Sequence, residues 1–247
     1  MKRITKAILP LSVKRWFGNL LASSGGTYLR ASYSQEGEDL ILERLFGGKT
    51  CGFYVDVGAH HPRRFSNTCR FYKRGWHGIN IEPNPDVLRL FRQKRKRDIN
   101  LEYGVADAED HLTYYMFNEP ALNSFDQALS EQRQNNQYRI VGTKNIAVKR
   151  LSGILESHMP GQIDIDFMSI DVEGYDLQVL RSNDWSRFRP ECVLVESPDF
   201  DLSNPGADPI HIFLDRQNYQ LFAKTFNTLF YLDKSKKTRN SQGTSTK

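Results

Sequence analysis

Short and almost entirely apolar runs alternate with helical patterns from residue 52 onward, and this alternation restricts the chain to few folds. Four runs have the composition of buried strands: Phe53–Val57, Gly78–Ile81, Phe167–Ile170 and Cys192–Val195. Helical patterns such as Pro85–Lys94 and Tyr175–Arg181 lie between them. Repeated β-α-β units with apolar strands indicate a mostly parallel sheet with helices on both faces. We therefore expect a Rossmann-like α/β domain that binds its ligand at the carboxyl ends of the strands.

The remaining segments extend this pattern. Arg64–Lys73 and Leu151–Ser157 are predicted helices, and Leu101–Val105 is a predicted third strand. Leu112–Phe117 and Ile146–Lys149 are predicted extra strands in a hairpin-like excursion. After a helix over Ile210–Gln217, the chain is predicted to close with an antiparallel hairpin, formed by Tyr219–Lys224 and Thr228–Leu232.

Positive charge is concentrated at the two ends of the chain. Residues 1–30 carry six Lys or Arg and residues 234–247 carry five, with no acid in either segment. This leaves residues 31–233 with 23 basic and 29 acidic residues. We predict a basic N-terminal extension over 1–30, one domain over 31–233 and a disordered basic tail over 234–247. An acidic domain argues against nucleic acid as the partner.

Two local features have alternative explanations. Val13, Trp16, Phe17, Leu20 and Leu21 share one helical face, which either touches an anionic membrane surface weakly or packs against protein. The basic run Arg92–Arg97 is read either as a solvated helix end or as a patch for an acidic ligand. The oligomeric state stays open.

The three cysteines and the lack of a membrane-spanning run predict the compartment. Cys51, Cys69 and Cys192 are too few and too scattered for a disulfide framework, so we expect reduced thiols. No run approaches the roughly 20 apolar residues that a membrane span needs. Both features favour a cytoplasmic protein.

Acidic residues close or follow most of the predicted strands. They are Asp56, Glu82, Asp107, Asp171 with Glu173, and Glu196. Glu82 follows Gly58 by 24 residues, the spacing at which an acid binds the ribose hydroxyls of an adenosine cofactor. Because the strands are predicted to be parallel, these acids are expected at one rim of the sheet.

The loop after the first strand, "VDVGAHHP", helps to choose among adenosine cofactors. A dinucleotide carries a pyrophosphate that needs a glycine-rich turn, but only Gly58 is present here, and Pro62 takes the place of the last glycine. S-adenosylmethionine has no phosphate, and its sulfonium cation suits a rim of carboxylates. We therefore expect S-adenosylmethionine and not NAD.

Four blocks resemble one family. "YSQEGEDLIL" (33–42), "FYVDVGAHHPRRFSNT" (53–68), "GINIEPNP" (78–85) and "SIDVEGYDLQVL" (169–180) occur in the order seen in the FkbM-type S-adenosylmethionine-dependent methyltransferases. The resemblance implies a class I methyltransferase fold, with a seven-stranded sheet whose seventh strand is antiparallel. It also implies O-methylation of a sugar, a glycan or a secondary metabolite.

The resemblance also implies roles for individual residues. Its cofactor-binding positions are the turn residues Asp56, Gly58 and Ala59, the ribose acid Glu82 with Pro83, an adenine-side acid at Asp107, and Asp171. The block Asp171–Gly174 corresponds to the active site. Many relatives have Asn and Gly where this chain has His60, His61 and Pro62.

Methyl transfer to a hydroxyl needs a group that accepts the hydroxyl proton. His60, His61, Asp171 and Glu173 are the candidates, and the alternative is that one of the histidines caps the following helix or packs under the loop. His60, His61, Asp171, Glu173 and Glu196 offer metal-ligand atoms, but their spacing is not that of a metal motif, so no metal is expected.

Two other functions remain as alternatives. One is an NAD-dependent sugar oxidoreductase, and the other is a non-catalytic adaptor that keeps the methyltransferase fold. The segment Ser34–Asp39 is read either as a lid over the cofactor or as the capped start of a helix over Gln35–Phe46.

Overall fold

The computed structural model describes residues 29–236. The predicted amphipathic face in residues 13–21 and most of the predicted basic tail lie outside the described residues. From Ser32 onward the described chain forms one compact unit, and its helices are α1 (Glu38–Leu45), α2 (Cys69–Lys73), α3 (Pro85–Lys94), α4 (Gln127–Arg133), α5 (Leu151–His158), α6 (Asp176–Ser182) and α7 (Pro209–Arg216).

The strands form two sheets. Their bounds are β1 (Phe53–Val57), β2 (His77–Ile81), β3 (Ile99–Leu101), β4 (Gly104–Val105), β5 (Asp110–Phe117), β6 (Ile140–Lys149), β7 (Phe167–Ile170), β8 (Cys192–Glu196), β9 (Tyr219–Lys224) and β10 (Thr228–Asp233). Seven of them form the main sheet in the order β3-β2-β1-β7-β8-β10-β9. The other three form a small sheet in the order β4-β6-β5.

The main sheet confirms the predicted fold class. β1 pairs in parallel with both β2 and β7, and β7 pairs in parallel with β8. β10 enters between β8 and β9 and is antiparallel to both. The sheet is therefore mostly parallel, with the antiparallel C-terminal hairpin that the sequence predicts.

Apolar residues cover both faces of the main sheet. In β1, Phe53, Val55 and Val57 belong to one buried cluster, whereas Tyr54 belongs to another cluster that contains Trp76. Alternate residues of a strand point to opposite faces, so burial of every residue in β1 requires helices on both sides. This explains why the run Phe53–Val57 is apolar at nearly every position.

Two predicted elements differ from the structure. The predicted strand Leu101–Val105 is divided: Ile99–Leu101 pairs with β2, and Gly104–Val105 pairs with β6 in the small sheet. The predicted helix Arg64–Lys73 begins only at Cys69, because Phe65 has a φ of 53° and so cannot continue a right-handed helix.

The cysteines and the helix lengths bear on the remaining predictions. Cys51, Cys69 and Cys192 are free thiols, as expected. Within residues 29–236, no helix combines the length and the apolar character that crossing a membrane requires.

Candidate active site

A cavity of about 850 Å³, including its open mouth, lies at the carboxyl ends of the central strands. The residues that follow β1, β2 and β7 line it, as expected for a doubly wound sheet. The opposite wall comes from Tyr103–Val105 and from the segment after β5, which includes Pro120, Asn123 and Phe125.

Gly58 allows the loop after β1 to pass against the loop after β7. Its φ is 77°, in the left-handed region, and a Cβ placed there would lie 1.8 Å from the carbonyl oxygen of Asp171. The same Cβ would lie 3.1 Å from Cγ1 of Val172. Only glycine fits at this position, so it fixes the close approach of the two loops that line the cavity.

We expect Gly58→Ala to weaken S-adenosylhomocysteine binding by at least about tenfold, since left-handed strain alone costs about 1–2 kcal/mol. The clash with Asp171 would also separate the two cavity loops. Calorimetric titration would measure the loss. Gly48→Ala is the matched control, because a Cβ at Gly48 meets nothing within 4 Å. Equal affinity for the two variants would contradict the role of Gly58.

Glu82 joins two loops at the cavity wall. Its Oε2 accepts a hydrogen bond from the His60 N–H at 2.9 Å, and its Oε1 accepts one from the Asn84 N–H at 2.8 Å. The carboxyl group is buried, and burial raises its pKa to about 7 despite these two bonds. Asn84 in turn caps α3 by accepting the Asp86 N–H.

The structure brings most of the predicted cofactor-binding residues together. The lining of the cavity includes six of them: Asp56, Gly58, Ala59, Glu82, Pro83 and Asp171. The seventh, Asp107, does not line the cavity and forms a 2.6 Å ion pair with Arg150. The reason is the divided third strand: β3 ends at Leu101, and the chain then leaves the main sheet before it reaches Asp107.

The two histidines have different environments. His60 lines the cavity, and burial lowers its pKa to about 4, so it is neutral at physiological pH. Its Nε2 is buried without a hydrogen-bond partner among the described residues. His61 does not line the cavity. Its Nδ1 accepts the N–H groups of Arg63 and Arg64, so it stabilises a turn before α2 and does not cap that helix, which begins only at Cys69.

Backbone strain is concentrated at the cavity. Among the described residues, four that are not glycine have a positive φ, and His60, Phe65 and Glu173 are three of them. All three line the cavity. Such conformations cost of order 1–3 kcal/mol each and cluster at functional sites. Next to Phe65, Arg64 binds both carboxylate oxygens of Glu119 at 3.0 and 3.1 Å, and neither of these two charged residues lines the cavity.

A second cavity of about 280 Å³ adjoins the first. Four residues line both cavities: Gln35, Phe65, Asn67 and Asp171. The other residues of the second cavity are Glu36, Glu38, Glu196, Asn227 and Thr228. The segment Ser34–Asp39, for which a lid or a helix cap was expected, thus forms part of a wall, and α1 begins after Gly37 without a side-chain cap.

Three carboxylates meet between the two cavities. One oxygen each of Asp171, Glu173 and Glu196 lies within 4.8 Å of the others, close enough for one metal ion. Burial raises the pKa of Glu196 to about 8. Removal from bulk water and the nearby carboxylates also raise the pKa of Asp171, although its side chain is open to the cavities, and a hydrogen bond joins the two groups. Glu173 already has a cation, since Arg133 lies 2.6 Å from its Oε2. A shared proton and an arginine therefore reduce the negative charge that a metal ion would otherwise neutralise.

Three buried carboxyl groups with raised pKa values make the stability of the folded chain depend on pH. Burial raises the pKa values of Glu82 and Asp176 to about 7 and that of Glu196 to about 8. Unfolding returns them to about 4, so the folded chain holds more protons than the unfolded chain between these values. Their contribution is complete below pH 4 and is lost as the pH rises through 7 and 8.

We expect the free energy of unfolding to fall by about 2–3 kcal/mol between about pH 6.5 and 8.5. Urea unfolding at several pH values would measure this slope. Asp176→Asn should make the slope shallower, because one of the three groups no longer titrates. A free energy that stays constant or increases with pH would contradict these raised pKa values.

A buried arginine supports the loop after β1, and sequence reasoning missed it. Arg95 lies in the basic run Arg92–Arg97 but is only 1% exposed. Its guanidinium donates to the Pro62 carbonyl, to Thr68 Oγ1 and to the carboxylate of Asp98. Thr68 Oγ1 also donates to Asp56 Oδ2 at 2.8 Å. Neither a solvated helix end nor a ligand patch describes Arg95, which connects the cavity loop to the core.

The larger cavity suits an adenosine cofactor without phosphates. Gly58 provides the close loop approach, and Glu82 supplies a carboxylate at the end of β2, where ribose hydroxyls are bound in such folds. The orphaned Nε2 of His60 adds a polar atom that needs a partner. No lysine or arginine lines the cavity among the described residues, so a pyrophosphate would find no charged partner there.

The family model for the methyltransferase FkbM domain matches residues 56–221. A search of the curated proteins finds no match.

Two solved structures are similar in fold. A TehB-like SAM-dependent methyltransferase from Corynebacterium glutamicum has 10% identity and a TM-score of 0.41, and the match covers 90% of this chain and 96% of that one. An O-methyltransferase from Bacillus cereus in complex with SAH has 11% identity and a TM-score of 0.41, with 92% and 93% covered.

The family match spans 166 of the 247 residues and includes Gly58, Glu82 and Asp171. The chain therefore belongs to the FkbM methyltransferase family, and its cofactor is S-adenosylmethionine.

Proposed function

We propose that this methyltransferase transfers a methyl group to a hydroxyl oxygen of a sugar, a glycan or a secondary metabolite. The observation that carries the proposal is the boundary between the two cavities. Gln35, Phe65, Asn67 and Asp171 line both, so a group held in the larger cavity and an acceptor in the smaller one would meet beside them. We assign the larger cavity to the cofactor and the smaller one to the acceptor.

Among the candidate proton acceptors, Asp171 fits best. It lines both cavities, whereas His60 lines only the larger one and His61 lines neither. A raised pKa makes a carboxylate a stronger base, and the hydrogen bond to Glu196 gives the proton a second site.

The step balances without a further reagent. S-adenosylmethionine, held beside Gly58 and Glu82, would supply an electrophilic methyl group and would leave as S-adenosylhomocysteine. The Asp171 carboxylate would accept the hydroxyl proton of the acceptor as the acceptor oxygen takes the methyl group. Positioning by the chain contributes most of the rate, because correct alignment of reacting atoms is worth about 7–11 kcal/mol.

Calorimetry with three ligands tests this function against its alternatives. We expect S-adenosylmethionine and S-adenosylhomocysteine to bind and NAD to have no measurable affinity. Binding of NAD alone would support the sugar oxidoreductase, and binding of none of the three would support the adaptor. Mass spectrometry of glycan and metabolite extracts, with labelled methyl groups, would then identify the methylated oxygen.

We expect methyl transfer to proceed without a divalent metal ion. Arg133 is already paired with Glu173, and Asp171 and Glu196 share a hydrogen bond, so the three carboxylates have partners. Turnover should stay within about twofold of its starting value after treatment with excess chelator. Loss of activity on chelation, with recovery on addition of Mg²⁺ or Mn²⁺, would overturn this expectation.

A further inference from the structure

The chemistry of the second cavity indicates which acceptors it can hold. Its lining includes four carboxylates, from Glu36, Glu38, Asp171 and Glu196, and no lysine, arginine or histidine among the described residues. Resting on the proposed function, we propose that this cavity is the acceptor subsite and that it takes a polyol ring without an anionic group. Phosphorylated and carboxylated acceptors are excluded by charge.

The cavity wall is a built structure that joins distant parts of the chain. Glu36 Oε2 accepts the Asn227 N–H at 2.9 Å, and Glu38 Oε1 accepts the Thr228 hydroxyl at 3.3 Å. The Glu36 N–H in turn donates to Glu38 Oε2 at 2.8 Å. These bonds fix the segment before α1 against the turn between β9 and β10. The acids are therefore held in place when no acceptor is bound.

The segment before α1 is also held in place by hydrogen bonds to a buried carboxylate. Asp39 is fully buried and accepts hydrogen bonds from the Ser34 hydroxyl, the Tyr33 N–H and the Arg70 guanidinium, each at 3.0 Å. These hydrogen bonds fix the residues that directly precede Gln35 and Glu36, which line the cavity. A wall fixed at both ends selects ligands by the groups it presents, because it does not rearrange to suit them.

The amides of the cavity complete the match to hydroxyl groups. No hydrogen bond is made by the side-chain amides of Gln35 and Asn227 to other described residues, although both residues line the cavity. Asn67 donates to Ser169 Oγ through Nδ2, which leaves its Oδ1 as an acceptor. An amide both donates and accepts, as a hydroxyl does, whereas a phosphate or carboxylate requires donors and positive charge. The carboxylates of Glu36 and Glu38, together with the one negative charge that Asp171 and Glu196 keep while they share a proton, would repel such an anion.

Three probes that differ in one substituent test this inference. Methyl glucoside, methyl glucosaminide and methyl glucuronide would be titrated into the protein saturated with S-adenosylhomocysteine, with binding measured by saturation-transfer NMR. We expect the neutral and the amine-bearing probes to bind and the glucuronide to bind at least about tenfold more weakly. Glu36→Gln removes one charge and should narrow this difference by about threefold. Glu156→Gln, on the exposed face of α5 and away from both cavities, should leave it unchanged.

Each result separates the inference from the proposed function. A glucuronide that binds as tightly as the glucoside, or the absence of binding by all three probes at millimolar concentration, would overturn the subsite. If Glu36→Gln has the same ratio of glucoside to glucuronide affinity as the unchanged protein, the proposed role of the carboxylates is wrong. If S-adenosylhomocysteine binds in these experiments, such failures concern the acceptor subsite alone. If it does not bind, the proposed function itself is wrong.

Discussion

Replacing Asp171 by asparagine is expected to lower kcat by about 10²–10⁴-fold, the usual contribution of a positioned base. Asparagine keeps the size of the side chain but cannot accept the hydroxyl proton. The cavity should keep its shape, because Gly58 packs against the backbone carbonyl of residue 171 and not against its side chain. Affinity for S-adenosylhomocysteine, which has no sulfonium charge, should therefore stay within about threefold.

Three further variants locate the base. Glu196→Gln should lower kcat less and shift its pH profile, because Glu196 shares the proton of Asp171. His60→Ala should raise the KM for the cofactor, and His61→Ala should change neither constant, since His61 lines neither cavity. If Asp171→Asn retains turnover within about threefold while His60→Ala loses it, the base is His60.

The second large effect is expected on stability. We expect Arg95→Met to lower the free energy of unfolding by about 3–5 kcal/mol, because it removes one partner of a buried ion pair and leaves the other charge uncompensated. The uncompensated group is Asp98, which also accepts the Tyr54 hydroxyl and the Gly78 N–H. Methionine has nearly the length of the arginine stem, so the loss reports on charge and hydrogen bonds more than on volume.

Urea unfolding measures this loss, and the same basic run provides its control. Arg92→Met removes the same charge from an exposed position one turn earlier, and such surface changes usually stay within about 0.5 kcal/mol. Where Arg95→Met remains folded, weaker S-adenosylhomocysteine binding is also expected, since the guanidinium holds the Pro62 carbonyl. Similar unfolding curves for the two variants would show that Arg95 has no structural role.

The parts of the fold that the sequence predicts are those with strong local patterns. Phe167–Ile170 and Pro85–Lys94 were predicted with their observed bounds, because one is a run that is apolar except for Ser169 and the other begins with an Asn-Pro cap. Parallel strands bring their carboxyl ends to one edge, so Asp56, Glu82 and Asp171 could be placed at one cavity from their positions alone.

What the sequence could not predict depends on contacts between distant residues. Arg95 is indistinguishable in sequence from its exposed neighbours, and only the packing of α3 against Tyr54 and Thr68 buries it. That Asp107 lies outside the cavity lining could not be predicted, because strands β3 and β4 are separated by two residues and yet belong to different sheets. The second cavity requires Gln35, Asp171 and Asn227 together, and no periodicity in the sequence connects them.

Because β10 lies between β8 and β9 in the main sheet, the sheet can be completed only after β10 has been synthesised. All residues that line the larger cavity lie between Gln35 and Glu173, so they have emerged well before synthesis ends. The second cavity needs Asn227 and Thr228, next to the last strand of the main sheet. Until that strand inserts, β8 presents an unpaired edge, which invites pairing with other nascent chains. Premature termination before residue 227 would thus leave an aggregation-prone fragment that contains every residue lining the larger cavity but lacks Asn227 and Thr228 of the second cavity.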